Sequence, residues 1–331
     1  VLSFCPGSGQ EPAGLCGGHG GKGQKAESGK REAESGKQEP AALARKGVDQ
    51  AMHERKDKAL GHGPVLTSLA NPRVKAVRAL KRPAERRARS LCLLEGVRLI
   101  ESALEAGAHL EEAFVVPGVI ENARGRELVE ALGLRGVPVT RVSERVLAHM
   151  SDTETPQGIV AVARMQEAGM NVFAGCTMLV VSDGIADPGN LGTLVRTAAA
   201  TGAALWSRTG SADLYEPKAL RASMGALFLV PHRQRLSPEQ ILEATQALGL
   251  ALVVADARGP VLYTEVDWQR PFALVVGGEA HGVTPALREA AAAVVHLPMR
   301  PGVESLNAAV TAAVLLFEAV RQRAAGPARR L

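Results

Sequence analysis

The residues best equipped for chemistry lie in three short segments. The first, SDGIADPGNLGTLVRTAAATGA (182–203), holds Asn190 and Arg196. The second, VVGGEAHGVTPALREA (275–290), sets Glu279 directly behind Gly277 and Gly278. The third, VVHLPMRPGVESLNAAVTAAVLLFEAV (294–320), holds Ser305 and Asn307. Each follows a short apolar run that reads as a strand, and open α/β sheets bind ligands in the loops beyond their strand ends. Nucleotide binding is the first chemistry to test. No Gly-x-Gly-x-x-Gly follows a strand, which disfavours a nicotinamide site. Gly277 and Gly282 have the spacing of a phosphate loop, but Val283 stands where the essential lysine belongs. GGHGGKG (17–23) fails too: Cys16 replaces the first glycine and Gly23 follows Lys22. Each polar residue has an ordinary structural use as well. Asn190 can cap a helix, Arg196 can be a surface residue, Glu279 can be a loop acceptor, and Asn307 can bond nearby backbone.

The elements that must position these residues form an alternating series. Strands are expected at 90–94, 113–116, 138–142 and 158–164, with helices at 95–106 and 121–132 and a short helix closing at Leu147. From Met178 a second series begins. Its strands are 178–182, 203–206, 228–230, 251–255, 272–276 and 294–297; its helices are 191–201, 216–224, 238–248 and 285–291. Such alternation defines an α/β protein, and by pattern alone a doubly wound parallel sheet. The last helix opens at Ser305-Leu306-Asn307, with Ser305 a suitable N-cap. Leu306, Val310, Ala313, Val314, Phe317 and Val320 then recur as one apolar stripe suited to docking on a core.

Composition narrows the classes. The chain has 331 residues, enough for two domains, and 46% of them are hydrophobic. A net charge of +5 mildly favours an anionic partner. Aromatics make up only 3%, too few for a base-stacking platform. Cys5, Cys16, Cys92 and Cys176 are scattered, with no Cys-x-x-Cys pair, so neither a zinc site nor a disulfide framework is expected. No apolar run approaches a membrane span of about 20 residues, and no secretory signal is evident. A cytoplasmic protein is expected. Residues 1–64, rich in Gly, Lys, Glu and Ser, read as a disordered or spurious extension, with the functional protein beginning near Met52. Residues 65–165 form one expected domain, 166–177 a linker and 178–325 a second domain. The first opens with a basic run, Arg73, Lys75, Arg78, Lys81, Arg82, Arg86, Arg87 and Arg89, against a single acid, Glu85. It reads either as a solvated helix face or as a phosphate-contacting surface.

Together the three polar segments resemble the motifs of the SpoU (TrmH) family, RNA ribose 2′-O-methyltransferases of the SPOUT superfamily. The resemblance rests on Asp-Pro-Gly-Asn-x-Gly (187–192) with Arg-Thr-Ala (196–198), on the Gly277–Glu279 loop, and on Ser-Leu-Asn (305–307). EGVRLIESAL (95–104) and TPQGIVAV (155–162) are similar to the family's ribosomal-protein-like substrate-binding domain. One departure is Ala280-His281 where many members have a glycine second.

The resemblance implies a deep trefoil knot in the C-terminal α/β domain, with S-adenosylmethionine bound there. Gly277, Leu297 and Leu306 match the cofactor positions, Gly277 staying small so that the ligand can approach the main chain. Asn190, Arg196, Glu279, Ser305 and Asn307 match the polar active-site positions. The implied reaction moves the sulfonium methyl onto a ribose 2′-hydroxyl, with no metal and no general acid at the leaving side. A guanidinium holds its proton to a pKa above about 12. Arg196 is therefore assigned to clamp a neighbouring phosphate and stabilise the developing alkoxide, oriented by Glu279, while Asn190 aligns the hydroxyl. RNA is the implied partner, bound in part by the basic run. Ribosomal RNA is favoured over tRNA, partly because FEAVRQR (317–323) is similar to the tails of large-subunit enzymes. A homodimer is implied, with the last helix's apolar stripe serving both knot and dimer. The rival from another class is a non-catalytic RNA-binding assembly factor on the same fold.

Overall fold

The computed structural model of the chain describes residues 64–324. The expected N-terminal extension, with its glycine cluster and the start near Met52, lies outside the described residues, as do 325–331.

Two sheets organise the chain, both within one compact unit. The first is built from β1 (Leu91–Glu95), β2 (Leu110–Val115), β3 (Val139–Arg141) and β4 (Ile159–Arg164), in the order β1-β4-β2-β3. β4 runs antiparallel to β1 and β2, while β2 and β3 are parallel. Helices α1 (Pro72–Ala79), α2 (Pro83–Arg89), α3 (Val97–Glu105), α4 (Pro117–Glu121), α5 (Ala123–Leu134) and α6 (Glu144–Met150) accompany it. The basic run thus folds as α1 and α2. Asn71 caps α1, and Val74 and Val77 turn its apolar side inward.

The second sheet has seven strands, all parallel, in the order β7-β6-β5-β10-β8-β11-β9. They are β5 (Met178–Asp183), β6 (Ala204–Arg208), β7 (His232–Leu236), β8 (Ala251–Ala255), β9 (Val261–Leu262), β10 (Phe272–Gly277) and β11 (Ala293–His296). β5 is buried along its whole length, as a strand covered on both faces should be. Its neighbours are β6 on one side and β10 on the other. Chain order therefore reverses there, the kind of switch point at which such sheets open a crevice. The helices are α7 (Pro188–Thr201), α8 (Pro217–Ser223), α9 (Pro238–Ala247), α10 (Pro285–Glu289) and α11 (Ala308–Ala324). Local chemistry sets their ends. Asp187 caps α7, Pro188 fits its first turn, and Gly202 closes it in the left-handed region at φ 74°. α9 opens with a reciprocal Ser237/Gln240 capping box.

Three expectations are corrected. Residues 228–230 are not a strand: Ala226–Phe228 is a 3₁₀ turn after Gly225, and the strand is His232–Leu236. The last helix starts at Ala308, with Asn307 rather than Ser305 at its cap; Asn307 Oδ1 accepts from Ala309 N (2.9 Å) and Val310 N (3.3 Å). Most of the apolar stripe of that helix does not dock on the chain's own core; of its large residues only Val320 packs there. α11 buries Ala309, Ala312, Leu315, Leu316 and Ala319 instead, while Val310, Val314 and Phe317 stand exposed. The inward face is mostly alanine because α11 packs closely on α7 and β10.

The two sheets are joined by buried polar links. Arg86 on α2 is fully buried and grips Asp213, beyond β6, through Nε (3.1 Å) and Nη2 (2.7 Å). Its Nη1 donates to the carbonyls of Leu80 (3.1 Å) and Lys81 (2.9 Å). Arg221 on α8 reaches Glu95 (3.5 Å) and Asp152 (3.3 Å). The Tyr215 hydroxyl meets Gln166 O (2.7 Å), Gln166 N (2.9 Å) and His232 Nε2 (2.8 Å).

Candidate active site

Strands β5, β8, β10 and β11 deliver their carboxyl ends to one edge of the parallel sheet. From there run the loop into α7, the 278–284 loop and the 297–307 segment. β5 and β10 pair up to Asp183 and Gly277, so the first two loops leave side by side. They touch closely: a Cβ on Gly278 would strike the carbonyl of Gly184. Gly192 lets α7 seat against α8, since a Cβ there would come within 2.6 Å of Ala222 Cβ.

The three segments meet through their polar side chains. Asn190 Nδ2 donates to Glu279 Oε1 (3.1 Å). Asn307 Nδ2 donates to Asn190 Oδ1 (2.9 Å) and lies 3.5 Å from Glu279 Oε1. Because Asn307 Oδ1 is engaged by the α11 amides, its Nδ2 must face the other two, which fixes the amide's orientation. Asn190 is not the cap of α7; Asp187 is, and its Oδ1 accepts from Asn190 N at 2.8 Å. Lys218 donates to Asp187 Oδ2 (2.7 Å) and holds that carboxyl below its usual range. The side chain of Asn190 is thereby left free of capping.

Beside this trio opens a cavity of about 210 Å³. Gly277, Gly278, Leu297 and Leu306 line it, with Asp256, Glu279, Ser305 and Thr311 as its polar wall. Val276, Val295 and Leu315 add apolar surface. No Lys, Arg or His lines it among the described residues; of its two carboxylates, Asp256 is paired with Arg288, and Glu279 is met by the asparagine amides alone. That donor set disfavours a phosphate and suits a cationic group with a flat apolar portion, which fits a sulfonium nucleoside. Gly277 also has a reason of its own to stay small: a Cβ there would sit 2.6 Å from both Gly282 O and Val283 N, where the loop folds back over it. Leu297 is nearly buried, while Leu306 is 41% exposed at the mouth. Asp256 and Thr311 escaped the sequence reading. The usable signal for Asp256 was its place just after a buried strand.

Arg196 and Ser305 stand differently. Arg196 is exposed on α7, in line with Thr193 and Ala200, and makes no hydrogen bond or ion pair among the described residues. Glu279 does not orient it; its carboxylate faces the two asparagines instead. Ser305 is exposed and lines the cavity.

Of the basic run, Arg86 is withdrawn as an RNA contact, because burial against Asp213 leaves it no surface. Several others are committed within the chain. Arg73 pairs with Glu112 (2.6 Å), Arg78 contacts His149 (2.9 Å) and Arg89 donates to Ala76 O (2.8 Å). Lys81 binds Ser151 O, and Arg82 pairs loosely with Glu85 (3.4 Å). Lys75 and Arg87 are exposed and have no such partner among the described residues.

A parallel α/β sheet thus carries a glycine-lined, cation-poor cavity beyond the carboxyl ends of β8, β10 and β11, the place where open α/β sheets bind ligands. Residues 177–317 match the SpoU rRNA Methylase family, and residues 71–161 match the MRM3-like substrate binding domain. An uncharacterized tRNA/rRNA methyltransferase of Synechocystis is 34% identical over 259 residues, 78% of this chain and 94% of that one. The Bacillus subtilis 23S rRNA (guanosine(2553)-2′-O)-methyltransferase RlmP is 32% identical over 258 residues, 76% of this chain and 97% of that one. The SpoU methyltransferase AviRb from Streptomyces viridochromogenes, solved in complex with the cofactor AdoMet, superposes with a TM-score of 0.69 at 31% identity, covering 77% of this chain and 99% of that one. The chain belongs to the SpoU rRNA methylase family.

Proposed function

We propose that this protein transfers the methyl group of S-adenosylmethionine to a ribose 2′-hydroxyl of RNA, and that the RNA is ribosomal. The observation that carries the reading is the convergence of Asn190, Glu279 and Asn307 from three separate segments into one hydrogen-bonded cluster, joined to the cavity through Glu279. The relatives' names support the reaction and the class of RNA. Gly277, Leu297 and Leu306 hold the cofactor, with Glu279 supplying negative charge beside it. When bound, the cofactor supplies an electrophilic methyl on sulfur whose leaving group is a neutral thioether.

The remaining work falls to side chains at the rim. Asn190, pinned between Glu279 and Asn307, has one amide hydrogen and one carbonyl lone pair left to align a ribose hydroxyl. Arg196, uncommitted on the outer line of α7, takes the neighbouring phosphate and stabilises the negative charge developing on the attacking oxygen. Residues 65–165 serve as the RNA-binding domain, with Lys75 and Arg87 as its freest cations. The 297–307 segment forms part of a knot threaded by the C-terminal stretch. The protein works in the cytoplasm as a homodimer, joined in part by the exposed row Val303, Leu306, Val310, Val314 and Phe317.

The test is labelled-methyl transfer to ribosomal RNA, followed by mapping of 2′-O-methyl sites. Arg196→Ala is expected to lower transfer by about a hundredfold or more while leaving calorimetric affinity for S-adenosylmethionine unchanged. Methylation on a base rather than a ribose, or wild-type turnover by the variant, overturns the reading.

A further inference from the structure

Asp183 ends β5 and is fully buried, yet the reaction outlined above gives it no part. Its carboxylate is saturated. Oδ2 accepts the amide of Thr284 (2.6 Å), and Oδ1 accepts the Thr284 hydroxyl (3.0 Å) and Nε of Arg208. Its main-chain carbonyl accepts from Gly278 N (2.9 Å). One residue thus fastens both ends of the loop that carries Gly278, Glu279, Gly282 and Val283 to the cavity.

Thr284 makes the arrangement unusual. It occupies the N-cap position of α10, where a threonine hydroxyl ordinarily accepts a helix amide. Here it makes no cap bond and donates back to Asp183. Arg208 closes the other side. Its Nη2 would lie 3.3 Å from a Cβ on Gly184, the glycine that starts the turn into α7 and Asn190. A buried carboxylate is costly unless several donors satisfy it. An uncharged side chain would fill the space at lower cost but could not accept from three donors at once.

We propose that Asp183 is a positioning residue for methyl transfer. It clamps both ends of the 278–283 loop, and so sets where Glu279 stands against Asn190 and how far the cavity mouth opens. The inference rests on the reading of this cavity as the cofactor site.

The experiment compares Asp183→Asn, Thr284→Val and Thr284→Ser in the full chain. Affinity for S-adenosylmethionine is measured by calorimetry, binding to ribosomal RNA separately, and kcat and KM in steady state. Asn puts an N–H where a donor already points, and Val deletes the hydroxyl. Both are expected to raise the cofactor Kd and KM, Asp183→Asn by about tenfold or more, with RNA affinity unchanged. Thr284→Ser keeps amide and hydroxyl and is expected to bind like wild type. If Asp183→Asn does not fold, the Val/Ser pair decides. Wild-type Kd and kcat in Thr284→Val, a serine variant no better than valine, or parallel loss of RNA binding overturns the clamp. Leu306→Asp, a cavity-wall change outside the clamp, separates the two readings. Unchanged cofactor affinity there overturns the cavity assignment and the clamp with it. Lost affinity there beside wild-type binding in Thr284→Val overturns the clamp alone.

Discussion

Asn307 does two jobs with the two ends of one amide, and the ends can be separated. Its oxygen caps α11, and its nitrogen ties that cap to Asn190 and Glu279. Asn307→Ala is expected to lose both, costing about 1 kcal/mol of stability for the cap together with turnover. Asn307→Asp retains the cap oxygen but replaces the donor with a second carboxylate beside Glu279. It is expected to melt near the wild-type temperature and to transfer methyl poorly. Thermal denaturation and methyl transfer on the two variants check the division; equal melting losses would refute it.

At the scale of elements, the joints between the two sheets rest on a few buried polar groups. Arg86 holds α2 against the segment beyond β6 through Asp213. Arg86→Ala strands that carboxylate and two carbonyls and is expected to destabilise by about 3–5 kcal/mol, read as a fall in denaturation midpoint. β7 is held through His232, which is buried between Tyr215 and the Val230 carbonyl. Burial pushes the imidazole below its ordinary value of 6.5, so it stays neutral in the fold while the unfolded chain gains a proton. Stability linked to His232 is therefore complete above pH 6.5 and lost as pH falls below it, by at most about 1.4 kcal/mol per pH unit. Melting temperature against pH should flatten over that range in His232→Gln.

For the whole molecule, the decisive feature is the face that α11 turns outward. Val310, Val314 and Phe317 on α11, with Val303 and Leu306 in the segment before it, make a row of five exposed apolar side chains that is unusual on a surface that meets only water. Phe317→Glu with Val310→Glu is expected to convert the proposed homodimer into a monomer, measured by sedimentation, without unfolding α11, since neither side chain packs inward. A monomeric wild type would remove the basis for the shared interface.

What local sequence chemistry could determine, it did: buried strands, their alternation with helices, and three polar segments after strands. These depend on neighbours within a few residues, where spacing is informative. Asn190, Glu279 and Asn307 were legible only as a set, through the resemblance of the three segments to the family's motifs; singly, each had an ordinary structural use. Which partners they meet was decided only in three dimensions. Arg86 looked like one more cation in a basic run until the sheets closed over it. The apolar stripe of the last helix looked like a core face until alanines proved to be the side that fits against α7 and β10. Ser305 looked like the cap, yet Asn307 took that place. Gly277 looked spared for a ligand, and the nearest atoms belong to its own loop. Asp183 showed no such signal, since a buried charge is recognised only by donors lying far along the chain, here Arg208 and Thr284. Sequence spacing specifies elements and the order in which they come; pairing between distant segments depends on strand order and close packing, and it is there that the Asn190–Glu279–Asn307 cluster and its cavity were made.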